Sequence, residues 1–128
     1  MAKGRDKHQA RLQATAALGR TLSRRARNHC ELCSEGGSLK VLEVEPVFED
    51  PEFERAIMAC ASCEAALGKK GPNPDTMRFL ETAIWSETLP AQLAAVRLTR
   101  TLASQGVQWA IDALDSLYLD EETEALIG

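Results

Sequence analysis

The chain's 128 residues suit one domain, or a small metal module joined to a helical lobe. Apolar residues reach 45%, too many for a disordered chain, and with three Phe, two Trp and one Tyr a core must be built from Leu, Ala, Val and Ile. The net charge of −4 divides into +7 over residues 1–29 and −11 over the remainder, a split that signals either a nucleic-acid-binding arm or two parts that attract each other. No run approaches the ~18 apolar residues of a membrane span. The N-terminal MAKGRDKHQARLQ lacks the apolar stretch of a secretory signal, so a cytoplasmic protein with reduced thiols is expected.

Residues 6–28 read as a helix rich in Ala, Leu, Gln and Arg, with Leu12, Ala16, Gly19, Leu22 and Ala26 along one face. That stripe is thin and broken by Gly19, so the helix needs a partner. Cys30 opens a different region. CELC is followed by the turn-prone SEGGS, the strand-like LKVLEV, a loop marked by Pro46 and Pro51, and RAIMAC returning as a strand to the second cysteine pair. SCEAALGKKG predicts one or two helical turns ending at Gly68 or Gly71.

The stretch KKGPNPD, residues 69–75, is the best linker candidate, and only helical patterns follow it. Asp75 is placed to cap a helix over 76–87 with Met77, Leu80 and Ile84 inward. Pro90 suits the first turn of a second helix over 90–105 that Gly106 closes. A third, over 107–118, aligns Val107, Ala110, Ile111, Leu114 and Tyr118, and Asp120 caps a last short helix, EETEALI.

Cys30, Cys33, Cys60 and Cys63 form two Cys-x-x-Cys pairs with 26 residues between them. Each pair can offer two sulfurs to one ion, and four thiolates in a tetrahedron suit one structural Zn²⁺. Such a site is closed, with no position for a reacting water, so it supports structure. The second pair falls where a helix begins, which favours its thiolates, and Arg27 and Lys40 are candidates to offset the site's negative charge. Disulfides, idle thiols, rubredoxin-type iron and thioredoxin-like redox chemistry are the alternatives, the last disfavoured because no βαβ pattern surrounds either pair. His29 beside Cys30 is not needed once four cysteines complete the shell.

Knuckle, hairpin, then a second knuckle at a helix start is the order of a treble-clef finger. The fold expected is therefore mainly α with a small β element: a treble-clef-like zinc finger, with a zinc-ribbon-type hairpin, packed with a helical lobe. Its parts would be a basic helix (1–29), the zinc module (30–71) and the helical lobe (72–128). The run RNHCELCSEGGSLKVLEVEPV resembles the opening of HNH nucleases, but Glu43, Val44 and Glu45 stand where those enzymes place histidines. The two histidines of the chain, His8 and His29, precede the first knuckle, which argues against a nuclease site.

CELC, LKVLEVEPV, the second cysteine pair, FLETAIWSETLPAQLAAVRLTRTL and WAIDALDSLYLDEET together resemble the N-terminal zinc-binding domain of the PhnA family, proteobacterial type, over residues 24–127. The most specific parts are Trp85, Ser86, Glu87, Pro90, Ala91 and Gln92, and the run Tyr118 to Thr123. The resemblance implies that the four cysteines are zinc ligands. Family members often continue into a small β-barrel C-terminal domain, which these residues do not include. The family name reflects proximity to phosphonate-use genes, and some relatives carry a phosphonoacetate hydrolase label. That activity would need a dimetal site of His and Asp ligands, and no such set is evident.

The resulting expectation is a non-enzymatic zinc-binding protein acting on an unidentified protein partner or a nucleic acid. Arg20, Arg24, Arg25 and Arg27 are the candidate phosphate contacts, within a basic stretch at residues 5–27. The alternatives are an enzyme of phosphonate metabolism, a zinc-dependent DNA-binding regulator, and, for the helix alone, a surface element that balances thiolates and the acidic lobe. Trp85 and Trp109 are expected in core packing, Ser86 and Glu87 in helix capping, and the acidic run from Asp112 to Glu124 on a solvated face. A cleft lined by Glu43, Glu45, Trp85 and Glu87 would reopen catalysis.

Overall fold

The structure is a computed structural model that describes residues 2–46 and 52–127, with side chains from residue 8 onward. Pro51 of the predicted loop and the side chains of Lys3, Arg5 and Lys7 lie outside the described residues. A long helix α1 (Ala2–Ala26) leads into the first cysteine turn and strand β1 (Leu39–Glu43). A 3-10 turn (Phe53–Arg55) and strand β2 (Ala56–Cys60) come next, then helix α2 (Ala61–Leu67). Four further helices follow: α3 (Leu80–Ala83), α4 (Leu89–Ser104), α5 (Gln108–Asp115) and α6 (Glu121–Ile127). Among the described residues the fold is mostly helical with one two-stranded antiparallel sheet, and no helix is long and apolar enough to cross a membrane.

The hairpin is the organising layer. Its register pairs Val41 with Met58 and Leu42 with Ile57, so successive residues of each strand point to opposite faces. Leu39, Val41, Ala56 and Met58 pack with Leu18, Leu22 and Ala26 of α1. Ile57 and Ala59 face the main core, with Leu80, Ile84, Leu93, Val96, Leu98 and Leu102. Both faces are covered, which explains why β2 reads as a continuous apolar run instead of alternating. Leu22 is fully buried, a contribution on the order of 2 kcal/mol to holding α1 on the sheet.

That packing corrects the predicted stripe on α1. Leu18, Leu22 and Ala26 face the hairpin, whereas Leu12 is 51% exposed and Ala16 is exposed, because the sheet lies under the C-terminal half of the helix.

The helix expected over 76–87 is also different. Asp75 donates its own amide to Asn73 Oδ1 instead of capping, and the chain advances through i to i+3 bonds such as Leu80 N to Met77 O and Glu81 N to Arg78 O. Only Leu80–Ala83 is α-helical. Met77, Leu80 and Ile84 are nevertheless buried, since 3-10 turns and an α-turn bring three- and four-residue spacings to nearly the same face.

Helix α4 carries Pro90 in its first turn and ends in a Schellman arrangement, with Gly106 at φ +85° and Val107 N bonded to Leu102 O. α5 stops at Asp115, so Tyr118 leaves the predicted face and is 87% exposed. Asp120 does cap α6, its Oδ1 accepting the Thr123 amide at 2.8 Å, and that bond holds its carboxyl below the usual range. Arg97 of α4 donates to Leu126 O at 2.7 Å and so ties α6 to the core helix. Trp109 is half-buried against the core with the Arg78 guanidinium 5.8 Å over its ring. Trp85, by contrast, is 52% exposed, because it follows the short α3 at a turn instead of lying on a buried helix face.

Candidate metal centre

Each cysteine pair is positioned by a different piece of backbone. After α1 the chain turns sharply through Arg27 and Asn28, both left-handed (φ 56° and 59°), and Asn28 N bonds Ser23 O to close the helix end. Cys30 then starts a tight turn: Ser34 N bonds Cys30 O at 2.9 Å, and Cys30 N bonds Glu35 O at 2.8 Å. Ser34 takes the left-handed conformation (φ 70°) that lets the chain reverse after Cys33. The second pair rides on the junction of sheet and helix. Cys60 is the last residue of β2 and the N-cap position of α2, and Cys63 lies within the first turn of that helix.

The two halves meet. The four Sγ atoms lie within 4.8 Å of one another, with Cys33 and Cys60 at 3.6 Å. Tetrahedral zinc with Zn–S near ~2.3 Å places its sulfurs roughly 3.8 Å apart, so the cluster has the span of a four-sulfur metal site. A disulfide would need sulfurs about 2.05 Å apart, and all four cysteines are free thiols. Cys30 and Cys63 are buried, while Cys33 and Cys60 are partly exposed.

The electrostatics suit a cation. Cys30 is drawn down to about 4, first by the hydrogen bond from the Cys63 thiol and then by the backbone amides of Cys33, Cys60 and Leu32. Burial pushes Cys33 up to about 11, and the Cys63 thiol is held protonated by its bond to Cys30 and by burial. Four sulfurs so close cannot all ionise without a positive ion among them. Arg27 and Lys40, the predicted counter-charges, are both exposed, with Lys40 Nζ 3.9 Å from Glu64; burial, neighbouring thiols and backbone amides are what shift the sulfurs. His29 is exposed, with Nδ1 2.6 Å from Arg27 O, so it belongs to the turn and not to the cluster.

The four candidate arginines separate into two groups. Arg25 faces inward, its Nε and one terminal nitrogen gripping both oxygens of Glu31 at 2.9 and 2.8 Å. It also donates to Phe53 O and Ala56 O, and its guanidinium lies 4.6 Å over the Phe53 ring. Arg25 is therefore a clamp between α1, the cysteine turn and β2, occupied on every side. Arg20, Arg24 and Arg27 are exposed.

Glu31, inside the first Cys-x-x-Cys, is the residue that sequence reasoning missed. Its backbone N–H donates to Met58 O at 2.9 Å while its carboxylate accepts from Met58 N at 3.0 Å. Nothing in its local sequence marks it, because both partners are more than five residues away.

A separate cleft of about 500 Å³ opens between the end of β1, α2 and α4. Leu42, Val44, Leu67 and Leu98 supply its apolar lining, and Glu43, Glu45, Glu64 and Arg97 its charges. Glu43 is ion-paired with Arg11 of α1. Trp85 and Glu87 do not line this cleft, and neither do Ser, Cys or His side chains. Ser86 has a local role, its Oγ accepting the Thr88 amide at 3.1 Å ahead of α4. The acidic side chains Asp112, Asp115, Glu121 and Glu122 are exposed, as expected of a solvated face.

No protein-family model, no curated protein and no solved structure matches this chain.

Proposed function

We propose that this is a non-enzymatic zinc protein in which one Zn²⁺, held by Cys30, Cys33, Cys60 and Cys63, closes a treble-clef-type module against the helical lobe. The observation that carries this reading is the convergence of four thiols within 4.8 Å from two separate Cys-x-x-Cys turns. Zinc is favoured over iron by the chemistry of the site, since closed four-thiolate tetrahedra at knuckle turns are its commonest structural setting. The order of elements supports the treble-clef assignment: cysteine turn, hairpin, then Cys63 in the first turn of a helix. The PhnA-like residues named above fit the same picture and bring no catalytic set with them.

A closed site gives water no place to bind, and the charged cleft lacks a Ser, Cys or His nucleophile or base. The protein therefore works by contact with a partner. Elemental analysis of reduced, purified protein tests the reading: one zinc per chain is expected, with four sulfurs near ~2.3 Å by X-ray absorption. Two metals per chain, none, or iron alone overturns it. Turnover of phosphonoacetate that survives cysteine substitution but is lost on changing Glu45 or Arg97 would establish the enzymatic alternative instead.

A further inference from the structure

We propose that the outward face of α1, with Arg20, Arg24 and Arg27, docks on the phosphate backbone of a nucleic acid. The inward face is fixed by Arg11 on Glu43, by Leu18 and Leu22 on the hairpin, and by Arg25 on Glu31. At 100° per residue, Arg20 and Arg24 lie on the opposite side, one turn apart. The left-handed turn at Arg27 adds a third guanidinium at the same end. All three are exposed and have no side-chain hydrogen bond or ion pair among the described residues.

Charge distribution makes this face unusual for the molecule. From Lys7 to Cys30 there is no Asp or Glu, although the chain as a whole has a net charge of −4. Basic residues that serve only to neutralise the protein's own acids would be paired, as Arg11 and Arg25 are. Arg20, Arg24 and Arg27 are left for an external anion.

The rest of the face selects the kind of anion. Gln9, Gln13, Ala16 and Ala17 accompany the arginines and are exposed. Small and polar neighbours allow a helix to approach a sugar-phosphate backbone closely. A helix that lies on a membrane needs large apolar side chains opposite its basic residues, and here, opposite Arg20 and Arg24, Leu18, Leu22 and Ala26 are packed against the hairpin. Without aromatics on the face there is no stacking on bases, so recognition is electrostatic and indifferent to sequence.

The proposal deepens the zinc reading and rests on it for the placement of α1, which Arg25 and Glu31 tie to the first cysteine turn. The test is fluorescence anisotropy of a labelled DNA duplex of about 20 base pairs, titrated with the zinc-loaded 128-residue chain between ~0.05 and ~0.2 M salt. Binding at low salt is expected, with log K falling linearly against log salt. The R20Q/R24Q/R27Q variant should lower K at every salt and flatten the slope by about 2.7, from three phosphate contacts at ~0.9 each. A K69Q/K70Q control, altered on an exposed loop elsewhere, should keep the slope.

No affinity at the lowest salt, an unchanged slope in the triple variant, or an equal change in the control overturns the proposal. So does arginine-dependent binding to vesicles of anionic lipid without binding to DNA, or arginine-dependent self-association in its place. Zinc content measured on each sample separates the two readings. A zinc-free preparation that binds DNA with the same arginine dependence keeps the docking face while refuting the metal's structural role.

Discussion

Glu31 shows how much a single side chain can organise. Its carboxylate stands in for a neighbouring strand at Met58 and at the same time holds the guanidinium that clamps α1. The carboxylate is 6% exposed, so truncation leaves a partly buried Arg25 and a strand amide without partners. Glu31→Ala should therefore cost on the order of 3 kcal/mol in denaturant unfolding. A loss below about 1 kcal/mol would mean that water replaces the carboxylate there. The candidate ligands were legible in the sequence because metal geometry demands a local spacing. The roles of Glu31 and Arg25 were not, because they depend on which distant backbone groups the fold brings alongside. The sulfurs support a second expectation. In the metal-free protein the thiols of Cys33 and Cys63 have raised pKa values, so they hold protons at neutral pH that a bound cation must displace, whereas Cys30 is already a thiolate. Metal uptake should release at least about two protons per ion, and the logarithm of affinity should rise with pH with a slope of at least ~2 between about pH 5 and 9. Calorimetry in buffers of different ionisation enthalpy reads the proton count, and a release below one would contradict this electrostatic picture.

Two glycines in or beside helices have opposite meanings. Gly19 lies in the interior of α1, where the helix needs no special backbone freedom, and a Cβ there would meet Val41 Cγ2 at an ordinary 3.6 Å. Gly106 ends α4 at φ +85°, where an L side chain is strained even though nothing crowds it. Gly19→Ala should raise stability by about 0.5–1 kcal/mol, and Gly106→Ala should lower it by about 1 kcal/mol. Paired thermal melts decide, and a destabilised Gly19→Ala would show that the helix needs that gap against β1. Elements with strong local signals were the ones foreseen: α1, both strands, the Pro90-to-Gly106 helix and the Asp120 cap. The segment from Thr76 to Glu87 differs from the predicted helix because its apolar spacing also suits successive 3-10 turns. Periodicity alone does not distinguish the two when neither end is capped.

At the scale of the molecule, the cysteine turns and the helical lobe share one core. Cys30, Leu32, Ile57 and Cys63 belong to the same buried cluster as Leu80, Leu93, Leu98, Leu102 and Ala110. The hairpin in the middle carries α1 on its other face. If the cluster holds the ion proposed above, removing it would leave four sulfurs within 4.8 Å of one another, two of the cysteines buried, with the Cys30 thiolate no longer compensated by a cation. The resulting loosening would reach Ile57 and Ala59 directly, because β2 ends at Cys60, and through them the contact with α4. Chelation should therefore lower the melting temperature of the whole protein and keep a single transition, with helix signal from α4 and α5 lost together with that from α1. Because binding to the folded state stabilises it by RT ln(1 + [L]/Kd), free zinc at 100 times Kd adds about 2.7 kcal/mol, and the shift should grow with the logarithm of free zinc. Circular dichroism followed with and without chelator makes the comparison. A metal-free protein that melts in two steps, with the signal of residues 89–115 surviving the first, would mean that the lobe folds independently and that zinc organises the hairpin and α1 alone.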